Sequence, residues 1–270
     1  LSRENKTTVE MLTKFKEKLE GDHFAEDLMN EATWLVRFNE FEHSEHSIAF
    51  LTTYINDGSE LILRIHDDPE TGRHLKRIQR TVRLIAVELA GRAPYRDYLL
   101  ARRDYIDDLV MASVLHDVGK IVVPKEIVTK PGRLTAEEFG RMKSHTVAAG
   151  DILLQSNAVY LRQTGKDSFL ALAACVARHH HERWDGNGYP DRLAAEAIPL
   201  SARIVSIADV YDALRSRRPY KEPWTHEAAV EEIRGLSGRQ FDPVVVDAFL
   251  SVADRAQAGF PGPDGAAGSG

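Results

Sequence analysis

Apolar residues recur along this chain at helical spacing, with no run of alternating positions that demands a sheet and no internal repeat. Val9, Leu12, Phe15 and Leu19 follow one another at roughly that spacing, with charges between them and Gly21 as a stop. A second helical stretch is predicted over about Phe24 to Tyr54, where Leu28, Leu35, Phe38 and Phe41 supply an apolar face. Asn56-Asp57-Gly58 is a turn signal. Asp68-Pro69-Glu70 then has the form of an N-cap, a proline at the first helical position and an acid in the first turn. The helix it opens carries His74, Ile78, Val82, Ile85 and Leu89. Another is predicted from about Tyr105 to Asp117, stopping near Gly119. Pro124 and Pro131-Gly132 mark a loop, after which Thr135-Ala-Glu-Glu138 has the form of a capping box. Further helices are predicted over about Val147 to Leu154, Phe169 to His180, Leu200 to Ser216, His226 to Arg234 and Pro243 to Ala253. The segment Trp184-Asp-Gly-Asn-Gly-Tyr-Pro190 is too rich in glycine for helix, and the tail from Gly259 is rich in Gly, Pro and Ala.

Composition narrows this picture only a little. A chain of 270 residues has ample apolar content for a real core. Its formal charge of -6 argues against a broad nucleic-acid-binding surface and so against DNA as a partner. A small anionic substrate remains compatible, because a few local cations or metal ions reverse the field inside one pocket. Cys175 is the only cysteine, so no internal disulfide forms, and a reducing cytoplasm fits. The longest apolar run, around Phe169 to Ala177, is too short to span a bilayer. The sequence starts at Leu1 rather than Met, which leaves an upstream sensor or membrane anchor open.

Candidate chemistry lies in the arrangement of the histidines. His116-Asp117 ends the apolar segment Val110 to Leu115 and is followed by Val118-Gly119-Lys120. An imidazole and a carboxylate at the end of a buried helix are costly unless something positive compensates them. A divalent cation would do so, and Asp117 can serve two, one per oxygen. A histidine resting favourably on a helix dipole explains the pair equally well, and both readings stay open at this pentapeptide. Arg178-His179-His180-His181-Glu182 follows the apolar stretch Leu170 to Ala177, so some of its histidines must point inward. Gly186 and Gly188 let the next loop fold tightly and present Tyr189 at a fixed place. Asp209 sits beside the apolar stripe of Ile204, Ile207, Ala208, Tyr211 and Leu214, which suits a ligand reaching into a core site. Asp212 is the alternative buried acid, or an acid that orients a neighbour.

Taken together, His116-Asp117-Val-Gly-Lys120, His180-His181-Glu182-Arg-Trp-Asp-Gly-Asn-Gly-Tyr-Pro190, Ile198-Pro-Leu-Ser-Ala-Arg203 with Asp209, and Arg218-Pro-Tyr-Lys221 resemble the HD-GYP family. The resemblance covers roughly Pro69 to Leu250. The HD pair alone would indicate only the wider HD superfamily of metal phosphohydrolases. The resemblance implies an all-α HD-domain helical bundle, with residues 66–256 as the catalytic domain; the additional N-terminal helices of residues 1–65 lie outside the resemblance and read as a linker or cap, and 257–270 as a flexible tail. It implies a core metal held by His74, His116, Asp117 and Asp209. A second is held by His145, His180 and His181, with Asp117 bridging both. Glu70, one turn before His74, matches an acid that supports a third metal in some family members. His179 falls outside the pattern. His66-Asp67 mimics the HD pair without the following Gly-Lys and reads as a capped loop; His23, His43 and His46 read as surface residues.

The activity this resemblance implies is hydrolysis of cyclic di-GMP to linear pGpG and on to GMP, with a mixed cyclic GMP-AMP as an alternative substrate. Lys120 is expected against the phosphate, Asp117 at the metals, Arg218 and Lys221 at the second phosphate or a guanine edge, and Tyr189 stacking or shaping the pocket. Two or three divalent ions are expected, iron or manganese first, since the ligand set contains histidine and carboxylate but no cysteine. A competing reading is a non-catalytic cyclic-dinucleotide receptor or a docking module that meets a signalling partner through the Gly-Tyr-Pro loop; a homodimer is left open separately. A different HD hydrolase, for deoxynucleotides or guanosine tetraphosphate, would explain His116-Asp117 but not the block from His180 to Pro190.

Overall fold

A computed structural model describes residues 69–216 and 222–260, and within them the chain is helical. The helices predicted before residue 69, and the tail beyond 260, lie outside the described residues, as do His23, His43, His46, His66 and Asp67. Helix α1 spans Pro69–Ala90 and opens on the predicted proline; its stripe of Leu75, Ile78, Val82, Ile85 and Leu89 is buried. Two shorter helices follow, α2 over Arg96–Leu100 and α3 over Tyr105–Ser113. A 3-10 turn at Val118–Val122 and the single turn α4, Lys125–Val128, lead to the long helix α5, Ala136–Thr164. Then come α6 over Phe169–His179, α7 over Leu200–Arg215, α8 over His226–Gly235 and α9 over Pro243–Gln257. Among the described residues there is no strand, only an isolated bridge between Ser237 and Phe241 that closes the turn before α9. No described helix is long and apolar enough to cross a membrane.

α6 and α7 lie at the centre. α6 packs against α3, α5 and α7, while α7 packs in turn against α8 and α9. Every residue of α7 from Leu200 to Ala208 is buried, as are Tyr211 and Asp212, so this helix has almost no solvent face. A helix buried on nearly all sides lies inside the bundle, and the polar and acidic groups it carries must therefore meet partners there. Tyr211 shows how such a group is satisfied: its ring packs 5.1 Å from that of Phe249 and its hydroxyl lies 2.8 Å from His226 Nδ1.

Two predicted boundaries move. The helix expected over about Val147 to Leu154 is the middle of α5, which starts at the capping box: Glu138 N–H donates to Thr135 Oγ1 and Thr135 N–H to the Glu138 carboxylate. Gly140 and Gly150 interrupt the apolar stripe and make the helix look shorter than it is. At Gly150 the reason is a crossing, since a Cβ there would lie 3.1 Å from Arg178 Cβ on α6. Helix α5 ends at Gly165, whose φ of 72° is the left-handed cap that glycine adopts freely. The helix expected from Tyr105 to Asp117 ends at Ser113, because Val114 and Leu115 take shorter bonds to Met111 and Ala112. That tightening turns the chain, so His116 and Asp117 sit on a bend rather than on a helix.

Gly119 holds this bend against α5. A Cβ on it would lie 2.0 Å from the His145 carbonyl oxygen and 2.7 Å from Ala149 N. Backbone rests on backbone there, and the approach brings Asp117 to His145. Gly119→Ala is expected to force the two segments apart, at a cost of about 1–3 kcal/mol or more. Thermal unfolding should show the loss of stability, and metal content measured beside it should fall.

Candidate metal centre

Five segments converge on one place: α1 with His74, the bend with His116 and Asp117, α5 with His145, the end of α6 with His180 and His181, and α7 with Asp209. Their donor atoms form two groups. His74, His116 and Asp209 make one; Asp117, His145, His180 and His181 make the other, and within each group the atoms lie within 4.8 Å of one another. The structure thus brings together every sequence-predicted ligand except Glu70, whose backbone is in the first turn of α1 and whose side chain lies outside the described residues.

The orientation of the rings is set locally. Nδ1–H of His116 donates to the Ser113 carbonyl at 2.8 Å, that of His145 to Met142 at 2.7 Å, and that of His180 to Ala177 at 3.0 Å. A carbonyl has no proton to give, so in each case Nδ1 carries a hydrogen, and a ring that is neutral or ligating presents its lone pair at Nε2. All three Nε2 atoms, together with Asp117 Oδ1, are buried without a hydrogen-bond partner. Buried polar atoms are seldom left unsatisfied, and four aimed at one region require something to receive them. A divalent cation fits: the donors are imidazole nitrogens and carboxylate oxygens, a set that holds such ions.

Asp117 faces both groups. Its Oδ1 lies 3.4 Å from His145 Nε2 and 3.8 Å from His180 Nε2; its Oδ2 lies 3.4 Å from His116 Nε2 and accepts a bond from Lys120 Nζ. Burial would raise its pKa, but Lys120 and His116 outweigh that and hold the carboxyl well below its ordinary range. Burial lowers His145, pushes His180 well below its usual value with help from neighbouring imidazoles, and takes His181 to about 3. These rings are neutral at pH 7, as ligation requires. His116 differs: burial opposes its charge, yet Asp117 and Asp209 outweigh burial and raise it to about 9. Its Nε2 points into the most negative part of the centre, 3.8 Å from Asp209 Oδ1.

Asp212 takes the second of the roles the sequence leaves open. It is buried, and its Oδ2 lies 2.6 Å from His74 Nδ1, so it orients that imidazole while Asp209 joins the cluster. Arg77, which the sequence reading passes over, donates Nε to Asp212 Oδ1 at 2.5 Å and Nη2 to Ser216 Oγ at 2.9 Å. Only the packing of α1 on α7 reveals this clamp, although Arg77 stands one helical turn from His74.

The glycine-rich loop folds back on the site. Gly186 has a φ of 76°, and a Cβ on Gly188 would lie 2.4 Å from Arg183 N. Glu182 is buried beneath the loop and accepts from Asp191 N–H at 2.7 Å and Leu193 N–H at 3.1 Å. Tyr189 is thereby set with its ring 4.9 Å from that of His181. Its hydroxyl pKa is raised by burial and by Asp117 and Asp209, so the phenol stays protonated. His179 faces the other way, with Nε2 3.1 Å from Asp191 Oδ2. Beside His180 and His181 a pocket of about 810 Å³ opens between this loop and the α5 wall of Phe139, Lys143, Ser144 and Val147. Of that wall, only Val147 falls within the helix predicted from the sequence. Arg218 and Lys221 lie outside the described residues.

Residues 95–245 match the family model described as an HD domain. A cyclic di-GMP phosphodiesterase of Vibrio cholerae is 46% identical over 188 residues, which are 70% of this chain and 37% of that protein. A cyclic di-GMP phosphodiesterase of Thermotoga maritima is 41% identical over 191 residues, 71% of this chain and 47% of its own length. The 3'3'-cGAMP-specific phosphodiesterase 2 of Vibrio cholerae is 41% identical over 181 residues, 67% of this chain and 31% of that one. The chain spans less than half the length of each of these relatives.

Asp212→Asn keeps the shape of the clamp and removes its charge. The cluster of His74, His116 and Asp209 is then expected to bind divalent metal about ten- to a hundredfold more weakly. The four-residue cluster should keep its ion. Titration of metal-stripped protein with manganese, followed by elemental analysis, checks both outcomes.

Proposed function

This chain belongs to the HD-domain family, in the branch marked by the HD-GYP motifs, and we propose that it is a metal-dependent phosphodiesterase that opens cyclic di-GMP. The observation that carries the proposal is the shared carboxylate of Asp117, with buried imidazole nitrogens aimed at the space around it from both sides. Relatives at 41–46% identity whose names state this activity support the choice of substrate. A mixed cyclic GMP-AMP stands as the second substrate, favoured by the relative named for it.

His74, His116, Asp117 and Asp209 would hold one ion, and Asp117, His145, His180 and His181 the other. Divalent ions in such a site neutralise phosphate charge and make water a nucleophile at neutral pH. Iron or manganese suits these nitrogen and oxygen donors, and Glu70 is assigned to a third ion at the start of α1. Hydrolysis adds hydroxyl to phosphorus and leaves a proton on the departing ribose oxygen, giving linear pGpG; a second cleavage gives GMP.

The chain's own residues supply position and charge. Lys120 bonds to Asp117 Oδ2 and is only partly buried, so its ammonium can also donate to a phosphate oxygen. Tyr189, neutral and fixed by the loop, offers a ring face and a hydroxyl donor to the substrate. Arg218 and Lys221 are assigned to the second phosphate or a guanine edge. Residues 66–256 form the catalytic domain in this reading, and 1–65 its linker or cap.

Metal-loaded protein incubated with cyclic di-GMP should release pGpG and GMP, resolved by chromatography; an unchanged substrate refutes the proposal. Lys120→Ala should lower turnover roughly a hundred- to thousandfold while leaving metal content near wild type. Asp117→Ala is expected to lose metal from both clusters, read by elemental analysis. Two ions retained, with full activity, would remove Asp117 from the bridge.

A further inference from the structure

The pocket contains a cation that the reading above does not use. Lys143 lies two residues before His145 on α5, half-buried, and lines the pocket with Phe139 and Val147. The spacing of these three is four residues, so they share one face of the helix. Lys143 Nζ is 5.3 Å from the centroid of the Phe139 ring and 5.8 Å from that of Tyr189. The two rings meet edge to face, 6.1 Å apart. Their faces attract the ammonium and fix its place, but they leave its hydrogens without strong acceptors.

Among the described residues no carboxylate lies within ion-pair distance of Lys143. The neighbouring cations are in a different situation. Arg183 is bound by Asp185 and Gln240, Lys120 by Asp117, and Arg192 is exposed. A half-buried ammonium with no anion of its own, in a cavity of about 810 Å³, is a ready donor to an anionic ligand.

We propose that Lys143 is a substrate contact that donates to the phosphate of the cyclic dinucleotide not being cleaved, held in place by Phe139 and Tyr189. The inference rests on the phosphodiesterase reading above. Such a substrate carries two phosphates; the metal clusters with Lys120 engage only the one under attack, and Lys143 shares the other with whichever of Arg218 and Lys221 meets it rather than a guanine edge. A contact to the other is the same before and during bond cleavage. It therefore strengthens binding without favouring the transition state, and its loss appears in KM rather than in kcat.

The test uses Lys143→Met, which keeps the length of the side chain, and Lys143→Arg, which keeps its charge. Metal-loaded wild type and variants are assayed on cyclic di-GMP and on bis(p-nitrophenyl) phosphate, a diester with one phosphate. Lys143→Met should raise KM for cyclic di-GMP about ten- to a hundredfold, with kcat, metal content and the simple diester unaffected. Lys143→Arg should recover most of the loss, and the KM of Lys143→Met should depend less on salt. An unchanged KM for Lys143→Met overturns this role and leaves the phosphodiesterase reading standing. Equal losses on both substrates, or loss of metal, overturn it as well, because they mark a structural residue. A wild type that leaves cyclic di-GMP intact overturns the substrate reading, and the second-phosphate contact with it.

Discussion

Asp117 Oδ1 sits where the buried Nε2 atoms of His145 and His180 point, and neither nitrogen has a hydrogen to offer it, because each neutral ring holds its proton on Nδ1. Lone pairs facing a carboxylate repel it unless a positive charge stands between them. Lys120 supplies one such charge, at Oδ2 only. The remaining imbalance at Oδ1 is what makes this place a cation site rather than a core. Much of the surrounding structure can be understood as holding that imbalance in place.

The precision comes from backbone. His116, His145 and His180 each bond to a carbonyl three residues earlier, so the local chain, and not a distant partner, sets the direction of each Nε2. His74 is oriented instead by Asp212, across the interface between α1 and α7. Distances between the segments are then fixed at close approaches, where the backbone of Gly119 meets that of α5 and where Gly150 meets the Arg178 side chain on α6. A larger side chain at either place would separate ligands that the local bonds have already aimed.

The same helix that brings His145 to the centre forms a wall of the pocket. One face of α5 carries Phe139, Lys143 and Val147 toward the glycine-rich loop, and the loop answers with Tyr189. Glu182, buried under the loop, ties it to the segment that bears His180 and His181. Pocket and metal centre are therefore parts of one scaffold, and a chain with a net charge of -6 can still present local cations to an anion.

The sequence by itself determined the helical class, the motifs and the residue types that chemistry of this kind requires. Helical spacing in α1 and the capping box at Thr135 are local signals, and they act in the folded chain as they read in the sequence. His116-Asp117 alone was ambiguous between a cation site and a favourable helix end, because one pentapeptide does not reveal what faces it. Only the tertiary structure decided that the chain bends at Ser113, that α5 runs from Ala136 to Thr164, and that Asp212 rather than Asp209 holds His74. Lys143 and Phe139 stayed hidden for the same reason. Their significance lies in the loop across the pocket and in the absence of a carboxylate nearby, and both are properties of space rather than of spacing.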